Sequence, residues 1–178
     1  GDHLQLGPDV TVDAVTFSRL AAAASGPGGD DAAAERSVAL AAYGGPLLEG
    51  FDLAGAPAFN DWLAARRDAL AQQWRAVAES HCTTLQATGD LRAALRLASE
   101  LLRHDTLQEA HYRRAMALHA ALGEREAALA LYERCRRLLG KELGLKPLAQ
   151  TVALADQIFS GAFDPAPALQ AAAPTPAP

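Results

Sequence analysis

Residues 122–147 read LGEREAALALYERCRRLLGKELGLKP. Ala128, Leu131, Tyr132, Cys135, Leu138 and Leu139 recur within it at helical spacing, so one side of the helix is apolar and the other charged. Gly123-Glu124 stands in front of the helix. Gly144 supplies the backbone position just past its end, and Pro147 bars the helix from resuming in register. A helix buried on one side and stopped sharply at both ends needs a partner helix close by.

A matching stretch lies 34 residues upstream. GDLRAALRLASELLR (89–103) and GEREAALALYERCRR (123–137) share Gly89/Gly123, Ala93/Ala127, Ala94/Ala128, Leu95/Leu129, Leu97/Leu131 and Arg103/Arg137, with Asp90/Glu124 conservative. A further helix precedes each, at roughly 75–87 and 109–121. The unit is therefore helix, glycine turn, helix, used twice. A 34-residue period with a glycine-acid turn and a small residue beyond it resembles the tetratricopeptide repeat. That resemblance implies an all-α fold, a right-handed stack of antiparallel helix pairs. Gly89 and Gly123 reverse the chain, Ala94 and Ala128 lie where two helices cross closely, and Tyr132 is placed in the core.

The composition agrees with helices. Alanine is nearly a quarter of the 178 residues, and β-branched and aromatic residues are few. Asp13 is placed to cap a first helix with Phe17, Leu20, Ala21 and Ala24 on its face. A second is expected from Asp31 to about Tyr43. HLQL (3–6) alternates like a short strand, and SGPGGD (25–30) has loop chemistry. Residues 58–87 lack glycine and proline, which predicts a long helix with any joint near Arg66-Arg67 and with Trp62 and Trp74 in the core. A closing helix is expected from Leu148 to about Ser160, packing through Val152, Ala155 and Phe159. The expected divisions are an N-terminal segment at 1–30, a helical-repeat domain at 31–162 and a disordered Pro/Ala-rich linker at 163–178.

Motifs for catalysis are missing. The sequence has no phosphate-binding loop, nucleophile elbow, zinc-helix motif or paired-cysteine cluster, which predicts no catalytic residues, no cofactor and no metal. Cys82 and Cys135 sit inside helical patterns and are expected to be reduced and buried. The formal charge is −5, against a nucleic-acid footprint. Residues 92–146 nonetheless hold eleven Lys/Arg to seven Asp/Glu, and direct DNA contact through that segment is one alternative. With neither a signal peptide nor an apolar run of spanning length, a cytoplasmic protein without membrane contact is expected.

Four pieces, in order, carry a closer resemblance: the LLEGF connector at 47–51, the Trp62-Leu63 helix start, HDTLQEAHYRRAM (104–116) and YERCRRLLGKELGLKP (132–147). Over about residues 45–160 the chain resembles the bacterial transcriptional activator domain of antibiotic-regulatory-type activators. The resemblance implies a tetratricopeptide-like regulatory module that usually follows a winged-helix DNA-binding domain, with HLQL as the last strand of its wing. The chain opens at Gly1 without methionine and reads as a portion of a longer protein. Its expected partners are then a protein or a second copy in a homodimer, with DNA engaged only through a domain absent from this chain. In that register Glu79, Thr83, Gln86, Arg113, Ala117 and Ala120 would line a concave, partner-binding groove. A stand-alone repeat adaptor unrelated to transcription is the other reading.

Overall fold

The computed structural model describes residues 7, 11–24 and 32–171; the candidate strand at 3–6, the loop at 25–30 and the tail from 172 lie outside them. Every regular element among the described residues is a helix. In order they are α1 (Asp13–Ala24), α2 (Ala32–Ala41), α3 (Pro57–Ala87), α4 (Leu91–His104), α5 (Glu109–Ala121), α6 (Arg125–Glu142), α7 (Ala149–Ser160) and α8 (Pro165–Ala171). The fold is all-α, as the composition and repeat predict. Chain contacts define two compact units, Gly1–Ala78 and Glu79–Pro178. The boundary falls within α3, inside the helix expected to open the first repeat.

In the first unit α1 packs on α2. Phe17, Ala21 and Ala24 of α1 and Ala32 and Ala39 of α2 are buried. The Phe17 ring lies 5.0 Å from Tyr43, which lies 5.9 Å from Trp74. Residues 47–56 form turns rather than a helix, and α3 side chains hold them. Asn60 pairs with both backbone groups of Leu53, at 3.0 and 3.1 Å. Arg67 donates to the carbonyls of Leu47 (2.7 Å), Leu48 and Phe51 (3.1 Å). Arg66-Arg67 therefore marks no joint, since α3 continues to Ala87.

Trp62 departs from its expected place in the core and is 55% exposed. The buried side of α3 is Leu63, Leu70, Trp74 and Val77. Trp62 precedes Leu63 by one residue, a rotation of about 100° around the helix, which turns it away from that side.

In the second unit three backbone hydrogen bonds recur at both glycine turns. Gly89 and Gly123 have φ of 83° and 80°. Thr88 N donates to Thr84 O at 2.9 Å and Leu122 N to Leu118 O at 3.1 Å. Gly89 N donates to Gln86 O at 3.2 Å and Gly123 N to Ala120 O at 3.0 Å. Ala94 N donates to Asp90 O at 3.0 Å and Ala128 N to Glu124 O at 3.1 Å. All three pairs are offset by the repeat period, and Ala94 and Ala128 are both fully buried. Left-handed backbone costs a non-glycine residue roughly 1–2 kcal/mol, which is why glycine stands at both bends.

The second unit continues with α4 on α5, α5 on α6, and α7 on both α5 and α6. α6 ends at left-handed Gly144 (φ 66°), and Leu145 N reaches back to Leu139 O at 3.2 Å. Helix α7 is rotated from its expected face. It buries Thr151, Ala155 and Ile158 and leaves Phe159 68% exposed, because Thr151 is drawn inward by polar partners described below. Met116, Ala128, Ala155 and Ile158 form a buried cluster. Tyr132 packs at its rim and is only half-buried, short of the core position expected. Residues 165–171, inside the segment whose composition predicts a linker, form α8. Asp164 Oδ1 accepts from Ala166 N at 3.0 Å, and Pro165 occupies the first helical position, where its missing N–H costs nothing.

Ala128→Leu is expected to cost about 1–3 kcal/mol by overpacking the crossing of α5 and α6, measured by urea denaturation. Ala130→Leu, on the exposed side of α6, should be near neutral. Tyr132→Ala should cost less than about 3 kcal/mol, the lower bound for a fully buried ring.

Candidate functional site

Helix α5 is the element shared by the second unit, packing on α4, α6, α7 and α8. It buries His111, Tyr112, Arg114, Ala115, Met116, Ala117 and Leu118. A guanidinium enclosed in this way is costly unless its donors are satisfied. Arg114, 2% exposed, donates to Glu79 O at 3.1 Å and to Thr83 Oγ1 at 3.3 Å on α3. The Thr83 hydroxyl in turn donates to Glu79 O at 2.9 Å. His111 Nε2 lies 3.8 Å from Glu79 Oε1. Next to this seam the Cys82 thiol donates to Ala94 O at 3.4 Å. Burial raises its pKa, with the Arg114 charge acting the other way. Burial likewise pushes Cys135 up to about 11. Both thiols are protonated at neutral pH and are poor nucleophiles.

A second polar seam joins α5 to α7. Glu109 Oε2 accepts from Leu148 N at 2.9 Å and from Thr151 Oγ1 at 2.7 Å, and Arg113 donates to Thr151 Oγ1 at 3.2 Å. Glu109 thus caps the start of α7 from outside that helix, and Thr151 is fully buried as a result.

The acid after each glycine turn does different work. Asp90 is short and folds back on its own helix, accepting from Ala93 N at 3.0 Å. Glu124 is one methylene longer and reaches across, to His119 Nδ1 at 2.7 Å and to Arg92 at 3.0 Å. Its pKa is lowered, first by the His119 hydrogen bond.

The six expected groove residues do not make one open wall. Thr83 is exposed, Glu79, Gln86, Arg113 and Ala120 are half-buried, and Ala117 is fully buried. Glu79 and Thr83 gather around Arg114 rather than Arg113, which is engaged by Thr151. Ala120 packs against the buried cluster. Gln86 Nε2 donates to Leu169 O of α8 at 3.5 Å. Ala117 is corrected from groove wall to core, because α5 carries helices on several sides at once. Arg114 carried a readable signal: His111, Arg114, Ala115 and Leu118 fall at i, i+3, i+4 and i+7, the spacing of a buried stripe.

The first unit carries a different surface. Phe51 and Phe59 meet edge to face at 6.1 Å, and Phe59 lies 5.7 Å from Trp62. Phe51 and Trp62 are exposed, as are Leu48 and Leu53 of the same connector.

Arg114→Met should destabilise the fold by about 1–3 kcal/mol, since two acceptors lose a charged donor, and Arg113→Met by less; urea denaturation checks both. A depressed carboxyl contributes stability above its unfolded pKa and loses it as pH falls through the folded value. Glu124→Gln should therefore flatten the acid limb of the stability curve below about pH 4.5, and leave the alkaline limb unchanged.

No helix among the described residues is long and apolar enough to cross a membrane. A comparison with curated proteins finds no match. Residues 12–159, spanning both glycine turns and the aromatic surface, match the family model of the bacterial transcriptional activator domain, and the chain belongs to that family.

Proposed function

We propose that this chain is a regulatory, protein-interaction domain of a bacterial transcriptional activator. It acts in the cytoplasm through contact with another protein or with a second copy of itself, and a separate domain supplies DNA binding. It performs no catalysis. The observation that carries the reading is the ring series Phe51, Phe59 and Trp62, two of its members exposed, inside the matched residues. Adjoining exposed aromatics on a soluble domain mark interaction surfaces, and tryptophan is prominent among residues that dominate binding energy. The charge of −5 speaks against a phosphate-gripping role, and the two buried, protonated thiols against a nucleophilic one.

Light scattering across a concentration series tests self-association. The chain should exceed its 18.6 kDa monomer mass as concentration rises, and Trp62→Glu should weaken the association by about tenfold or more, the range of a dominant contact residue. In the whole activator, the same substitution should lower reporter transcription without changing operator affinity. Unchanged mass and unchanged transcription together would remove the reading. Steep salt-dependent duplex binding by this chain alone would replace it with direct DNA contact.

A further inference from the structure

Helix α8 meets one of the positions at which the repeat register places a partner. It packs on α5, with the two backbones within 8 Å of each other, and its Leu169 carbonyl accepts from Gln86 of α3. Gln86 and the α5 residues Arg113, Ala117 and Ala120 are the positions that the register assigns to the concave face. A segment of the chain itself thus packs on α5 and meets Gln86, one position of the face expected to receive another protein.

We propose that residues 164–171 are an internal plug of this groove, and that an outside ligand must displace it. The ligand it stands for is a short, nearly uncharged helix with small side chains and one larger apolar anchor. The proposal rests on the reading of the chain as a protein-interaction domain and adds the regulation of a second surface.

Three observations carry it. First, α8 has seven residues, too few to hold a helix alone in water, so its order is borrowed from what it packs against. Second, its attachment is slight. The hydrogen bond to Gln86 is long at 3.5 Å, and Ala168 and Leu169 are only half-buried. Phe163, packed at the rim of the buried cluster, tethers it from one end, and left-handed Gly161 turns the chain out of α7 toward it. Third, the chemistry fits on both sides. DPAPALQA (164–171) carries a single charge, Asp164, which is spent on its own cap. The side chain that bonds it, Gln86, is likewise uncharged. A tether this short holds the plug near its site at an effective concentration of about 1 mM. Weak contacts then suffice to close the groove, and a stronger ligand opens it.

Hydrogen exchange on the full chain tests this. The amides of Ala166 and of residues 168–171 should exchange at least about tenfold more slowly than in a free peptide of residues 163–178. Leu169→Glu should bring them to the free-peptide rate, Gln86→Ala should do so in part, and exposed Leu107→Glu should change nothing. A fluorescent peptide of residues 163–178 should then bind the Leu169→Glu chain about tenfold more tightly than the unsubstituted one, the ratio for a groove closed about nine-tenths of the time. Free-peptide exchange rates in the unsubstituted chain, or equal peptide binding by both chains, would overturn the plug. If the plug is found but Trp62→Glu alters neither association nor transcription, the plug stands and the interaction reading falls. If no plug is found but Trp62→Glu still abolishes association, the reverse holds.

Discussion

The second unit depends on a constraint imposed at two points: the backbone must reverse tightly enough for the next helix to lie against the last. At Gly89 and Gly123 the chain enters the left-handed region, and five residues later Ala94 and Ala128 sit in contacts that exclude all solvent. Neither feature is sufficient alone. A left-handed glycine without the alanine would aim the second helix correctly and then hold it off by the length of a larger side chain. The alanine without the glycine would offer a close-packing surface to a helix that never arrived. Because the two occur at the same spacing twice, the two bends share three backbone bonds, and α5 is left with a partner on either side.

That position explains the polar seams. An element flanked on several sides cannot send its polar residues to water, so α5 satisfies them within the structure. Arg114 is directed at a backbone carbonyl, Glu79 O, and at the Thr83 hydroxyl. A backbone acceptor has one place along the helix. The bond therefore selects one axial setting of α5 against α3, where apolar packing alone would tolerate several. Glu109 acts similarly on α7. By capping Leu148 and bonding Thr151 it fixes both where α7 starts and which side faces inward. The rotation that exposes Phe159 follows, and Arg125 sits over that ring at 5.7 Å while bonding the Phe159 carbonyl.

The all-helical fold, both turns, the alanine contacts and the limits of α4 to α7 were legible in the sequence, because each is set by local chemistry: glycine where φ is positive, proline where a helix cannot resume, apolar residues at helical spacing. What escaped was set by distant partners. Phe159 was expected inside on periodicity, and a carboxylate from another helix decided otherwise. Trp62 was expected inside on the helical face it was read with, yet it stands one residue away from the stripe that packs. Arg66-Arg67 was where a joint in α3, if any, was expected, because the apolar pattern lapses there; the helix runs through, and Arg67 faces the connector it fastens. Of the six expected groove positions, Ala117 is in the core and Arg113 is engaged with α7. A repeat register locates backbone positions but cannot show which of them a neighbouring helix will cover.

The two units differ in what they leave unsatisfied. In the second, polar side chains of α5 are paired and a segment of the chain lies on its open side. In the first, the connector holds itself in place through backbone groups, Leu53 to Asn60 and three carbonyls to Arg67, so its side chains are not needed to anchor it. Leu48, Phe51 and Leu53 can then stay exposed without loosening the loop that bears them, beside exposed Trp62 on α3. Leu48 even sits at φ 48°, a setting uncommon for leucine, with its carbonyl bonded by Arg67. An aromatic ring fully buried in a contact removes about 150–250 Å² from water, worth roughly 4–6 kcal/mol at about 25 cal/mol/Å². A half-exposed ring has part of that still to gain. Phe51 on the fastened connector and Trp62 on α3 bring that gain to a partner with little ordering cost set against it, which is the physical reason to place the outward contact of this domain there.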